Sequence, residues 1–196
     1  IDPPGATTVQ HLPTTSTAPS TAPAPTDPWG HRSSQAIHPS SHAGEEPLVG
    51  VIASGLAAVA PPWELGGETS SSERAYELLL ATDSYDAWLI HWPVGTGLDA
   101  HDHGGSTGAF AVVSGVLDED VDEDGTTVTR RVGAGDVVSF GCDHVHAVVN
   151  RGDVGATSVH VYSPPLSSMS FYREAEDGSR EVDRTDQITA QSEVGA

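Results

Sequence analysis

The sequence predicts a mainly β fold, a jelly-roll-like β-barrel with short N-terminal helices, and three observations carry that expectation. Six short segments between residues 87 and 162 combine apolar alternation with β-branched or aromatic side chains. Gly, Asp and Pro clusters divide them at even intervals, as turns do. Helical periodicity is confined to the residues ahead of the first of these segments.

Residues 1–47 hold nine of the fourteen prolines, interleaved with Thr, Ser and Ala, and show no apolar periodicity. Such a stretch cannot bury enough surface to offset its ordering entropy, so it reads as a disordered tail. Its four histidines are scattered and set aside. From Pro47 onward Leu48, Val51, Ile52, Leu56 and Val59 fall at helical spacing, and Pro61-Pro62 ends the run. A second helix is predicted over 71–81, with Ser70 to Ser72 as N-caps ahead of Glu73 and Tyr76, Leu79 and Leu80 on one side. Strands are predicted at 87–92, 109–113, 126–132, 136–140, 147–149 and 157–162. The acidic run Asp118 to Gly125 reads as a solvated hairpin turn; it echoes the start of a calcium loop, but the twelfth position would be Arg131, which cannot coordinate calcium. Residues 173–196 are polar and acidic and are expected to fray. The domain thus runs from 48 to 172.

Composition narrows the partners. The chain of 196 residues carries 28 Asp and Glu against 8 basic residues, all Arg, for a formal charge of −20. That balance excludes binding to a nucleic-acid backbone and offers no basic cluster for anionic lipid. The single cysteine, Cys142, cannot form an intramolecular disulfide, and the chain opens without a charged and apolar leader, so a cytoplasmic protein is expected. The most apolar segment, 48–60, is too short to span a membrane. A monomer is expected.

The chemistry lies in the histidines. His101 and His103 stand two apart, so on a strand both imidazoles point to one face and reach one point inside a barrel. Gly95 precedes His101 by six residues and Gly115 follows His103 by twelve; downstream, Gly135, His146 and Asn150 form a second frame. His144 lies close to His146, but the spacing to Asn150 selects His146. These two frames resemble the signature motifs of the cupin superfamily over roughly residues 85–165, in which such histidines bind a divalent metal. The glutamate that often adds a fourth ligand would fall at Gly108, leaving three neutral histidines. An incomplete set of protein ligands leaves positions open for substrate and oxygen, as redox non-haem iron sites require. Structural zinc would want four closed ligands, usually including sulfur.

The histidine frames are followed by Ser158-Val159-His160-Val161-Tyr162-Ser163-Pro164-Pro165. With this element the chain resembles the cysteine dioxygenase type I family, thiol dioxygenases of the cupin superfamily, over about 48–172. The resemblance implies Fe(II) held by His101, His103 and His146, and a relay in which Ser158 orients His160 and His160 orients Tyr162. Residues 158, 160 and 162 share one strand face independently of the resemblance. Where mammalian-type members carry a cysteine cross-linked to the catalytic tyrosine, this chain has Gly108, so a bacterial-type member without that cross-link is expected. Family members that take cysteine hold its carboxylate with an arginine about two dozen residues ahead of the paired histidines. Arg74 stands 27 ahead of His101 and is the candidate; a different register would place Glu77 there.

The function implied is an iron-dependent dioxygenase that converts L-cysteine and O2 to cysteine sulfinate, with a small thiol and O2 as its partners. Two alternatives stand beside it: the same chemistry on another small thiol, such as a mercapto-acid or aminothiol, and a metal-binding cupin that does not turn over. Phe110, Trp92 and Val148 are expected to wall a dry pocket.

Overall fold

The structure, a computed structural model, describes residues 46–60, 73–123, 125–175 and 179–188. Residues 1–45 of the expected N-terminal tail lie outside the described residues, as do Ser70 to Ser72, whereas its last two residues, Glu46 and Pro47, open the helix. Among the described residues one helix, α1 (Glu46–Ala57), precedes eleven strands: β1 (Ala75–Ala81), β2 (Asp86–Trp92), β3 (Gly97–His101), β4 (Thr107–Ser114), β5 (Val116–Glu123), β6 (Thr126–Gly133), β7 (Val137–Phe140), β8 (His146–Val149), β9 (Ala156–Ser163), β10 (Ser168–Glu174) and β11 (Arg180–Gln187). They form two antiparallel sheets, in the orders β1-β2-β9-β4-β7 and β11-β10-β3-β8-β5-β6. The six predicted strands correspond to β2, β4, β6, β7, β8 and β9.

Strand alternation divides the interior into two cores. Even-numbered side chains of β2, β4 and β9, among them Ile90, Trp92, Phe110 and Tyr162, face inward and meet Leu117, Val148, Met169 and Phe171 of the other sheet. Odd-numbered ones, including Leu89, Ala109, Ala111, Val159 and Val161, face outward and are covered by α1. The helix thus presents Val49 and Ala53, with Ile52 and Leu56 beside them. That face is rotated from the predicted one: Leu48, Val51 and Val59 are exposed. Close approach to the sheet selects the small residues. A Cβ on Gly50 would collide with the Ser139 hydroxyl unless that hydroxyl turned aside, so the helix sits close to β7 here.

The predicted helix over 71–81 is a strand over its described part. β1 pairs antiparallel with β2 from Ala75↔His91 to Ala81↔Asp86. Glu-Leu-Leu-Leu-Ala favours helix locally, but pairing satisfies the backbone of β2 and sets Tyr76 against Trp88, ring centroids 5.7 Å apart.

The acidic run is also a strand. In β5 Leu117, Glu119 and Val121 are buried, whereas the intervening Asp118, Asp120 and Asp122 point outward. The outward carboxylates have partners: Arg151 meets Asp118 and Asp120, Arg180 meets Asp122, and Thr129 donates to Asp120. The turn itself is confined to the residues around Gly125, whose N–H donates to Asp122 Oδ1 at 2.7 Å.

The expected fraying after Arg173 does not hold for 180–187. β11 pairs with β10 from Ser168↔Gln187 to Glu174↔Arg180. Arg184 lies over the Phe171 ring at 3.7 Å, and Arg173 bridges to Glu181 at 2.6 Å, so a polar strand is held by cross-strand charge and by aromatic cover.

Candidate metal centre and its cavity

His101 ends β3, His103 follows two residues on, and His146 opens β8; β3 and β8 pair directly at His101↔His146. The three side chains are buried, and their candidate ligand nitrogens all lie within 4.8 Å of one another. The frame glycines build the turns that deliver them. Gly115 (φ 75°) packs so tightly on Gly155 and Ala156 that a Cβ would come within 2.8 Å of the backbone, and Gly135 has φ 91°.

Each imidazole is held differently. His101 Nδ1–H donates to the Asp99 carbonyl at 2.8 Å, which leaves its ε-nitrogen as a lone pair. His146 Nδ1–H donates to Glu119 Oε1 at 2.7 Å, with the same result. His103 has no hydrogen-bond partner at either nitrogen and is fixed by stacking between Phe140 (4.7 Å) and Tyr162 (5.1 Å). Buried, unpartnered imidazole nitrogens converging on one point are costly unless an ion binds there, so the donor set fits a divalent metal. Burial holds all three rings below the usual histidine range, with mutual repulsion adding at His101 and His103. They are therefore neutral and ready as ligands.

The relay residues stand beside them on β9. Ser158 Oγ is 2.9 Å from His160 Nε2, and His160 Nδ1 is 3.1 Å from the Tyr162 hydroxyl. Trp92, buried on β2, donates its indole N–H to Ser158 Oγ at 2.8 Å. Indole can only donate. Ser158 is fully buried; when its hydroxyl donates to His160 Nε2, the His160 proton lies on Nδ1. That proton is then donated to Tyr162 Oη, and the tyrosine hydrogen is left to the cavity. Burial, with repulsion from His146 and Arg74, lowers His160 to about 3, so it stays neutral. Burial, with the Asp86 charge, pushes Tyr162 above the usual phenol range.

These groups border a cavity of roughly 150 Å³. Arg74, Tyr76, His101, His160, Tyr162 and Gln187 supply its polar atoms; Trp88, Ile90, Trp92, Leu98, Leu166 and Met169 supply apolar wall. Among the described residues no Asp or Glu lines it. Arg74 is 4% exposed, its Nε is without a partner, and its guanidinium sits 5.1 Å above the Trp92 ring. Burial lowers its pKa to about 10, which leaves it a cation at neutral pH. Glu77 pairs with Leu89 and does not line the cavity, so of the two registers the strand places Arg74 there. Of the three expected wall residues, Trp92 and Val148 line the cavity, whereas Phe110 lies behind, stacked on His160 at 5.2 Å.

Two contributors escape sequence reading. Glu119 is fully buried against His146 and His144, and although burial alone would raise its carboxyl, hydrogen bonds from both rings hold it at about 2. The available signal was the strict alternation of Leu117, Glu119 and Val121. Phe140 stacks on both His103 and His144 and occupies the space beside Gly108. A Cβ on Gly108 would collide with that ring and stand 3.0 Å from Tyr162 Cδ1.

The two facing antiparallel sheets and the buried three-histidine centre define a cupin. Within that class the chain belongs to the cysteine dioxygenase type I family, whose model matches residues 60–175, more than half of its length. Among solved structures it is similar to a conserved double-stranded β-helix protein from Klebsiella pneumoniae (22% identity, TM-score 0.43, 50% of this chain and 82% of that one). A cupin superfamily protein from Desulfitobacterium hafniense is similar as well (14%, 0.43, 55% and 86%), as is a DMSP lyase from Ruegeria pomeroyi (21%, 0.42, 55% and 58%). No curated protein matches the chain in sequence. Among the described residues no helix is long and apolar enough to cross a membrane.

Proposed function

We propose that the protein is an Fe(II)-dependent thiol dioxygenase that adds both atoms of O2 to the sulfur of L-cysteine, giving cysteine sulfinate. The observation that carries this reading is the placement of a buried cation, Arg74, and a hydroxyl, Tyr162, on the same small cavity as His101 of the three-histidine centre. The reaction balances without a further reductant, since thiol plus O2 equals sulfinic acid.

His101, His103 and His146 would hold the metal, which supplies Lewis acidity toward the thiol and one-electron reactivity toward dioxygen. The chain supplies the rest. Arg74 offers a planar fork to the substrate carboxylate and is kept in place by the Trp92 face. Tyr162 remains a protonated phenol and donates a hydrogen bond into the cavity, because His160 already occupies its lone pair. His160 orients the tyrosine without exchanging its own charge state. The tryptophans, Ile90, Leu98 and Met169 keep water from the reacting atoms.

Among the described residues no Asp or Glu lines the cavity, and this favours one second reading. The ammonium group of cysteine finds no counter-ion among the described residues there, so a mercapto-acid is the runner-up substrate, ahead of an aminothiol that would leave Arg74 unpaired. The test is to load the protein with Fe(II) anaerobically, admit O2 with cysteine, 3-mercaptopropionate or cysteamine, and follow O2 uptake and sulfinate by mass spectrometry. Uptake matched one to one by cysteine sulfinate is expected. Binding of iron with no uptake on any thiol would instead favour a non-catalytic metal-binding cupin.

A further inference from the structure

A divalent metal held by three neutral imidazoles has no anionic protein ligand, and in this chain the position where a cupin glutamate would stand is Gly108. The interior nevertheless contains a carboxylate one bond removed. Glu119 of β5 is 0% exposed and accepts His146 Nδ1–H at 2.7 Å and His144 Nε2–H at 3.3 Å, both through Oε1. Its Oε2 has no hydrogen-bond partner, and the nearest arginine, Arg130, stands 3.9 Å away with half of its side chain in solvent. Two imidazole N–H groups and one arginine at 3.9 Å are the partners that face this buried carboxylate. Compensation is complete only if a cation lies beyond one of the rings, and His146 alone connects Glu119 to the point where His101 and His103 converge.

We propose that Glu119 is a positioning residue of the metal centre: through His146 it supplies the negative charge that the three-imidazole set lacks and holds the ε-nitrogen of that ring toward the metal. The three ligands are thereby unequal. His101 leans on a neutral carbonyl, His103 on ring stacking, and His146 on a full charge. A carboxylate donating electron density through an imidazole raises ligand basicity and fixes the tautomer. The inference rests on the metal-centre part of the proposed function and is independent of which thiol is the substrate.

Co(II) affinity, read by competition with a chromophoric chelator on the full chain, tests it, with metal content counted after dialysis and the apo-protein fold followed by circular dichroism. Glu119→Leu removes charge and hydrogen bond and should weaken Co(II) by about 100-fold; Glu119→Gln can still accept from Nδ1–H and should lose about tenfold. His144→Ala leaves the Glu119–His146 bond intact and should stay within about threefold of the parent. If Glu119→Leu fails to fold, Glu119→Gln decides. Affinities of the Glu119 variants within about threefold of the parent overturn the proposal. So does a second Co(II) per chain that is lost equally in Glu119→Leu and His144→Ala, because Glu119 would then be a ligand itself. No Co(II) binding by the parent, or full binding by His146→Ala, would remove the metal centre as well, so the two failures are told apart.

Discussion

Trp92 donates its indole N–H to the hydroxyl of Ser158 at 2.8 Å while the face of the same ring lies 5.1 Å beneath the Arg74 guanidinium. One buried side chain therefore orients both the cation of the cavity and the polarity of the Ser158-His160-Tyr162 chain. Trp92→Phe keeps an aromatic face but removes the donor. Ser158 can then accept from His160, the ring changes tautomer, and Tyr162 must turn its hydrogen toward His160 instead of the cavity. We expect kcat to fall by about 10- to 100-fold with little change in the KM for thiol, the loss typical of a misdirected proton donor. Tyr162→Phe should cost as much, and the double variant no more than either alone. Losses that multiply would show that the two residues act separately.

Arg74 reaches the cavity as a buried cation whose Nε lacks a partner. Arg74→Lys keeps the charge and loses the fork. For carboxylate-bearing thiols we expect kcat/KM to drop by about 10- to 100-fold, in line with a charge-assisted hydrogen bond of about 1.5–3 kcal/mol. Oxidation of cysteamine, which has no carboxylate, should be unaffected. An equal loss on cysteamine would assign Arg74 to structure rather than recognition.

Gly108 stands opposite both Tyr162 and Phe140 in the ladder, and a Cβ there would collide with the Phe140 ring. Gly108→Ala should destabilise the protein by about 1–3 kcal/mol through overpacking, and Phe140→Leu should recover part of that loss. Thermal melting of the single and double variants measures both effects. An unchanged melting temperature for Gly108→Ala would show that the ring moves freely.

Asp86 is fully buried on β2; Oδ2 accepts the Leu166 N–H at 3.2 Å and Oδ1 has no partner. Burial pushes its carboxyl up to about 6 from an ordinary 3.8. A folded-state pKa above the unfolded value means that the native protein binds the extra proton between these values. Stability from this group falls as pH rises through that window, and the cost is complete above it. Asp86→Asn should therefore stabilise the protein at neutral pH by up to about 3 kcal/mol and give no gain below about pH 4. His160, lowered to about 3 from 6.5, acts in the opposite sense, favouring the fold as pH rises between those values. Urea midpoints of parent and Asp86→Asn at two pH values separate the Asp86 effect. A stabilisation equal at both would contradict it.

Three of the strand departures from the sequence expectation share one cause. They concern residues whose local character opposed their place in the sheet. Glu77 to Ala81 prefers helix, yet it is a strand because β2 offers an edge to pair with. Asp118 to Glu123 looks solvated, yet every second side chain of β5 is buried and Glu119 faces His146. Arg180 to Gln187 carries five charged residues but is held by β10 and closes the cavity wall with Gln187. Charge and helix propensity are weak priors, and pairing partners distant in the chain outweigh them.

What the sequence determined by itself was the alternation of β2, β4 and β9, the spacing of His101, His103 and His146 within their glycine turns, and the shared face of Ser158, His160 and Tyr162. These follow from the period of two along a strand and from turns that need glycine, both of which are local. Only the tertiary structure decided that Arg74 rather than Glu77 borders the cavity, that Trp92 sets the direction of the relay, and that a buried carboxylate from the acidic strand stands behind His146. Those relationships join residues dozens of positions apart, and the hydrogen bonds and desolvation that create them exist only once the two sheets have closed on each other.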